Sequence, residues 1–257
     1  MPNPQTVLPT HLPLWQSSLN WQPSEEQQAR FQQLYTEILV GNKQLNLTRI
    51  TEPDEFWEKH LWDSLSGLAP WLAQDAADAD QVPNDTEPIR IIDIGTGGGF
   101  PGIPAAIAFA PAPVDLTLVD STRKKIFFLQ QLCQQLGIRA TCIAERAETL
   151  GHSPIHRASY DLALVRAVGP AATCAEYVMP FLKVGAQAVL YRGQWTTDET
   201  EALIPVIDLL GGELTDLQRW ETPLTQSNRH CLFIHKEQPT PDEFSRAVGV
   251  PGKSPLT

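Results

Sequence analysis

The sequence predicts an α/β fold: a mostly parallel, doubly wound sheet with an antiparallel last strand and a helical N-terminal cap. Two observations predict it. From residue 89 onward, apolar strand runs alternate with segments of helical period, the order that builds a parallel sheet with crossover helices. The first of those runs, Ile91-Ile92-Asp93-Ile94, ends in an acid and then in closely spaced glycines, Gly95, Gly97, Gly98, Gly99 and Gly102. Such a cluster lets the backbone turn tightly at the carboxyl end of a strand and come into van der Waals contact with a ligand.

Taken in order, residues 1–23 read as a flexible extension, with Pro2, Pro4, Pro9 and Pro13 and no basic patch ahead of an apolar stretch, so no signal peptide is expected. Residues 24–73 read as the helical cap. Ser24 and Gln27 make a capping box ahead of Phe31, Leu34, Tyr35, Ile38 and Leu39, which are spaced for one helix face. Gly41-Asn42 is expected to stop that helix. A second, from about Thr51 and Pro53, carries Phe56, Trp57 and Leu61, and a third runs from Asp63 to Leu68 before Pro70. Residues 74–88, with Asp75, Asp78, Asp80, Asp85 and Glu87, read as an acidic loop.

The main domain is expected over 89–237, with strands at 90–94, 114–119, 139–143, 160–165 and 186–191 and helices at 103–110, 122–136, 170–182 and 197–210. Two further strands, about 213–220 and 229–236, are joined by a short polar loop, which suits an antiparallel pair. Residues 238–257 form a tail. No internal repeat is present.

At 257 residues, 42% hydrophobic and 19% charged, the chain is long enough for one sizeable α/β domain plus an appendage. No apolar run reaches membrane-spanning length, and a cytoplasmic location is expected. Cys133, Cys142, Cys174 and Cys231 show neither C-x-x-C pairing nor histidines at zinc-ligand spacing, so buried free thiols are expected and no metal. The net charge of -11 argues against a protein that coats nucleic acid nonspecifically. Any RNA partner must meet a local basic face, and bases do gather at Arg123, Lys124, Lys125, Arg139, Arg146, Arg157 and Arg166.

Two cofactor readings compete at the glycine turn. Gly97, Gly99 and Gly102, with Asp120 18 residues further on, fit the G-x-G-x-x-G dinucleotide fingerprint of nicotinamide enzymes. Against it, Asp93 followed by Gly95, Gly97 and Gly99 resembles the first motif, D-x-G-x-G-x-G, of S-adenosylmethionine-dependent methyltransferases. Dehydrogenase turns usually hold an apolar residue where Asp93 stands, and Pro101 and Pro104 delay the start of the following helix.

In open α/β sheets ligands lie beyond the carboxyl ends of the strands, which points to Asp93 to Phe100, Asp120 to Thr122, Arg146 to Glu148, and Arg166. Asp120 ends the second strand, where a carboxylate accepts both ribose hydroxyls, and Ser121 and Thr122 can cap the next helix. After the fourth strand the chain reads Leu164-Val165-Arg166-Ala167-Val168. It has neither the Asn-Pro-Pro-Tyr of exocyclic-amine methylation nor a Pro-Cys nucleophile. A ring nitrogen such as guanine N7 already presents a lone pair, so its methylation requires positioning and no base. Arg166 has the planar fork to hold guanine, cofactor or phosphate.

Asn46-Leu47-Thr48, His60-Leu61-Trp62-Asp63-Ser64, Asp93 to Pro104, Leu118-Val119-Asp120-Ser121, Arg146-Ala147-Glu148, Val165-Arg166-Ala167 and Arg229-His230 together resemble the bacterial small-subunit ribosomal RNA guanine-N7 methyltransferases, the glucose-inhibited division protein B family. The likeness runs from about Ser24 to the end. It includes Thr240 to Arg246 and Gly249-Val250-Pro251, although Phe244 and Ser245 depart from the family's tail pattern.

The resemblance implies a Rossmann-like class I methyltransferase sheet and S-adenosyl-L-methionine as cofactor. Its contacts would be Gly95, Phe100, Asp120, Ser121, Thr122, Ala147, Glu148 and Arg166, with no catalytic residue beyond positioning. The partner would be 16S ribosomal RNA or the small ribosomal subunit, met by a monomer needing no membrane and no metal. Lys59, His60, Arg123, Lys124 and the bases around Arg146 are candidates for an RNA-facing rim. Trp57 and Trp62 are expected in the core of the cap, and otherwise to stack on a displaced base. A nicotinamide-dependent oxidoreductase and a noncatalytic ribosome-binding protein are the alternatives.

Overall fold

The computed structural model describes residues 7–78 and 87–257. Five helical segments come first: α1 (Leu12–Leu19), α2 (Glu25–Leu45), α3 (Pro53–Phe56), α4 (Asp63–Ser66) and α5 (Ala69–Asp78), with a π-helical stretch over Trp57–Trp62 joining α3 to α4. The sheet domain follows as β1 (Ile89–Ile94), α6 (Gly102–Phe109), β2 (Val114–Val119), α7 (Arg123–Gln135), β3 (Ala140–Ile143), α8 (Ala147–Leu150), β4 (Tyr160–Arg166), α9 (Ala171–Val178), β5 (Leu182–Arg192), α10 (Thr197–Leu209), β6 (Gly212–Glu221) and β7 (Asn228–Lys236). A last short helix, α11 (Val250–Lys253), lies in the tail.

The strand order is β3-β2-β1-β4-β5-β7-β6. β1 to β5 pair in parallel, and β7 inserts antiparallel between β5 and β6. The order reverses between β1 and β4, and the crevice at that switch point is where a doubly wound sheet binds its ligand. Successive side chains of β1 point to opposite faces. Ile91 therefore joins the core shared with the cap, while Ile92 and Ile94 join the core beneath α9 and α10.

The capping box of α2 forms as expected: Gln27 N donates to Ser24 Oγ at 3.2 Å and Ser24 N to Gln27 Oε1 at 2.8 Å. Gly41 does not stop this helix. It sits inside α2 where a Cβ would come 2.3 Å from the Phe128 ring, so its missing side chain lets α2 and α7 pack closely. The helix ends at Asn46, in the left-handed conformation.

Several boundaries differ from the sequence reading. The extension expected over 1–23 contains α1, with Trp15 and Leu19 buried. Trp15 packs edge-on against Trp57 at 4.8 Å, and burial of such aromatics holds a segment that local composition leaves floppy. Residues 1–6 fall outside the described residues. Pro70 opens α5 instead of ending a helix, since the first turn leaves its N–H unneeded. The acidic loop expected from residue 74 begins with the end of α5, and residues 79–86 fall outside the described residues. Pro180 lies in a 3-10 turn, Met179–Phe181, that ends the helix expected to reach 182 and lets β5 start at Leu182. Trp57 and Trp62 are buried, as expected of the cap's core.

The tail folds back on the sheet domain. Arg157 donates to the carbonyls of Thr240, Pro241 and Phe244, and Arg246 pairs with the buried Glu176 at 2.7 Å.

Candidate functional site

A cleft of about 950 Å³ opens over the carboxyl ends of β1, β2 and β4 and reaches the cap. A smaller hollow of about 160 Å³ adjoins it, sharing Gly95, Asp120, Ser121 and Val168.

The glycine turn is organised from below by Asp93. Its Oδ2 accepts the Thr96 hydroxyl at 2.6 Å and the Gly102 N–H at 2.9 Å, tying the turn to the start of α6. The side chain is fully buried and Oδ1 has no partner. Burial therefore pushes its pKa up to about 6, against the opposing pull of those two hydrogen bonds. Asp93 thus shapes the turn from behind, and the groups lining the cleft are the backbone of Gly95 to Gly98 and Phe100. Gly95 has φ +72°, and a Cβ there would lie 2.4 Å from Val168 Cγ2. No L side chain fits that backbone and that space together.

Asp120 braces the turn from β2. Its Oδ2 accepts Gly97 N at 3.1 Å and Oδ1 accepts Thr122 N at 2.8 Å. A carboxylate has about four lone-pair sites, so capacity remains on a group that lines both hollows. Ser121 and Thr122 line the cleft beside it. Thr122 is the N-cap of α7 without a side-chain hydrogen bond, so the expected capping by these hydroxyls does not form and Asp120 receives the Thr122 N–H instead.

Ala147 and Glu148 line the smaller hollow. The Glu148 carboxylate is buried and committed: it takes Arg146 at 2.8 Å, the Tyr177 hydroxyl at 3.2 Å and Gly249 N at 2.9 Å. Burial pushes its pKa up, but the Arg146 pairing and the backbone N–H bonds from Gly249 and Glu148 together outweigh it and hold the pKa below the usual range. What this stretch offers a flat heterocycle is room beside Ala147 and main-chain polar groups.

Arg166, at the end of β4, turns toward the cap. Nη1 lies 2.5 Å from Asp63 Oδ2 and 2.8 Å from the Lys59 carbonyl, and Nη2 reaches His60 Nδ1 at 3.4 Å. Asp63 takes a second guanidinium, Arg229 Nε, at 3.1 Å. Phe100 stacks on His60 with centroids 4.3 Å apart and planes 13° apart, under the Arg166 guanidinium. Arg166 can only donate, so His60 Nδ1 is the acceptor and the proton sits on Nε2, which faces Thr48 Oγ1 at 2.7 Å. Burial, then the charges of Arg166 and Lys59, lower the His60 pKa to about 3 and keep the ring neutral.

All eight residues expected at a cofactor site line one hollow or the other. Sequence reasoning missed the opposite wall: Asp63, Tyr191, Arg192 and Arg229. Arg229 and Asp63 were visible only inside the motifs Arg229-His230 and His60 to Ser64, with no place in the site assigned to them. Five cations, Lys59, Lys125, Arg166, Arg192 and Arg229, stand in the cleft against two carboxylates, Asp63 and Asp120, so a chain of net charge -11 carries a locally positive site.

The chain matches the family model for rRNA small subunit methyltransferase G over residues 27–231. It is 53% identical to a ribosomal RNA small subunit methyltransferase G of Trichormus variabilis over 97% of this chain and 99% of that one. Against the protein of the same name from Synechococcus elongatus it is 51% identical over 94% and 95%. A solved putative O-methyltransferase from Klebsiella pneumoniae shares the fold, with TM-score 0.51 and 14% identity over 80% of this chain and 90% of that one. The sheet is thus the Rossmann-like class I methyltransferase sheet, and the chain belongs to the rRNA small subunit methyltransferase G family.

Proposed function

We propose that the protein transfers a methyl group from S-adenosyl-L-methionine to N7 of a guanine in 16S ribosomal RNA, in the cytoplasm where ribosomal subunits are found. Family membership supports the cofactor and the substrate class. The observation that carries the chemistry is that, among the described residues, no cleft group with base character is free of structural hydrogen bonds. His60 is neutral with both nitrogens occupied, Asp63 is held by two guanidiniums, and Asp120 is tied to the turn. A nucleophile that carries its own lone pair suits such a site, because only in-line positioning remains to be supplied.

The residues present fit the cofactor. Gly95 gives close backbone approach, Asp120 retains acceptor capacity for a ribose diol, and Ser121 and Thr122 stand beside it. Ala147 and the main chain at Glu148 offer an adenine-sized hollow. Phe100 and the unspent N–H groups of Arg166 border the remaining volume. When bound, S-adenosyl-L-methionine supplies an electrophilic methyl on a sulfonium. The positive wall draws in the RNA phosphate chain and helps hold the guanine against it.

Neither the nicotinamide-dependent nor the noncatalytic alternative draws support from the family. Labelled methyl transfer to small subunits from a strain lacking the enzyme tests the proposal: the product should be 7-methylguanine, cleavable by reduction and aniline. No transfer, or label on another atom, would reject it.

A further inference from the structure

The outer face of α7 combines features that the cleft does not explain. Phe127 follows Arg123 by four residues and Lys124 by three, so the ring neighbours both side chains on the helix surface. All three are exposed, and Phe127 is 62% exposed, unusual for so large an apolar ring. The helix contains no Asp or Glu, in a chain that has 30. Neither Arg123 nor Lys124 forms an ion pair among the described residues.

Gly41 packs on Phe128, which brings the end of α2 against the first half of α7. Arg49, also exposed, lies between Leu47 and Ile50, and both of those line the cleft. Arg49 likewise forms no ion pair among the described residues. Three cations with no ion pair among the described residues, and one exposed aromatic ring, therefore lie within two residues of Ile50, Thr122 and Lys125, which line the cleft.

We infer that this rim is the landing surface for the RNA strand carrying the target base, with phosphates on Arg49, Arg123 and Lys124 and one unpaired base stacked on Phe127. The inference rests on the ribosomal RNA reading above. Charge complementarity names the occupant: a polyanion satisfies the three cations, and single-stranded nucleic acid is held by cationic tracks interleaved with aromatic rings.

The test is steady-state methyl transfer to small subunits from a strain lacking the enzyme, at several salt concentrations, for wild type, R123A/K124A, F127Y and F127L. S-adenosylhomocysteine titration of each variant checks that the cofactor site is intact. The double variant should raise KM on the order of ten-fold, leave kcat within about two-fold, and flatten the dependence of log KM on log salt by about two. Phe127→Leu should raise KM several-fold without changing the salt slope, while Phe127→Tyr, which keeps the ring, retains the wild-type value.

A double variant with wild-type KM and slope overturns the phosphate contacts. Equal KM for the leucine and wild-type proteins overturns the stacking. Wild-type formation of 7-methylguanine in the same assay reports on the underlying reading separately.

Discussion

Arg166 Nη1, at the end of β4, lies 2.5 Å from the Asp63 carboxylate of the cap, so the cap is fastened to the sheet inside the cleft. Asp63 also holds Arg229 from β7 at 3.1 Å. One carboxylate therefore joins three parts of the molecule.

Removing it leaves two poorly hydrated guanidiniums facing each other. Asp63→Ala should cost roughly 3 kcal/mol, the range for breaking a buried pair from one side, and Asp63→Asn less. Urea denaturation of the three proteins measures this. A loss under about 0.5 kcal/mol for the alanine variant, within the range of exposed pairs, would show that the bridge does not fasten the cap.

Gly95 separates two effects. Gly95→Ala incurs the left-handed backbone cost, about 1–2 kcal/mol, and the overlap with Val168. Adding Val168→Ala should relieve the overlap and leave the backbone cost, so the double variant should bind S-adenosylhomocysteine better than Gly95→Ala and worse than wild type. Calorimetric titration decides it; additive losses in the double variant would mean that the Val168 contact is irrelevant.

His60 imposes a pH dependence on stability. Its pKa falls from about 6.5 unfolded to about 3 folded, so its contribution is intact above pH 6.5 and is lost as pH drops toward 3. At about 1.4 kcal/mol per pH unit, wild type should lose roughly 2 kcal/mol relative to His60→Gln between pH 7 and 5. A difference that stays constant over that range would contradict a buried neutral ring.

Asp93 acts with the opposite sign. Its folded pKa of about 6 stands above the ordinary aspartate value of 3.8, so the favourable contribution exists below pH 3.8 and disappears by about pH 6. Asp93→Asn should gain on wild type by roughly 3 kcal/mol from pH 4 to 6.5 and then hold level. Thermal melts across that window check the trend, and parallel curves would place the carboxylate in a wetter setting.

Much of this molecule was readable along the chain because its signals are local. Strand and helix periods, the Ser24–Gln27 box and the spacing of Gly95, Gly97 and Gly99 after Asp93 act within a few residues, and they specify the sheet domain and the first wall of the site. Gly41 misled the reading because its role is an approach to Phe128 on a distant helix, and Pro13 and Pro70 misled it because each opens a helix instead of breaking one. The pairing of Asp63 with Arg166 and Arg229, the commitment of Glu148 to the tail, the burial of Trp15 and the insertion of β7 between β5 and β6 link residues far apart in the chain. Such contacts follow from how charged and apolar surfaces come together in three dimensions, and folding alone selected them.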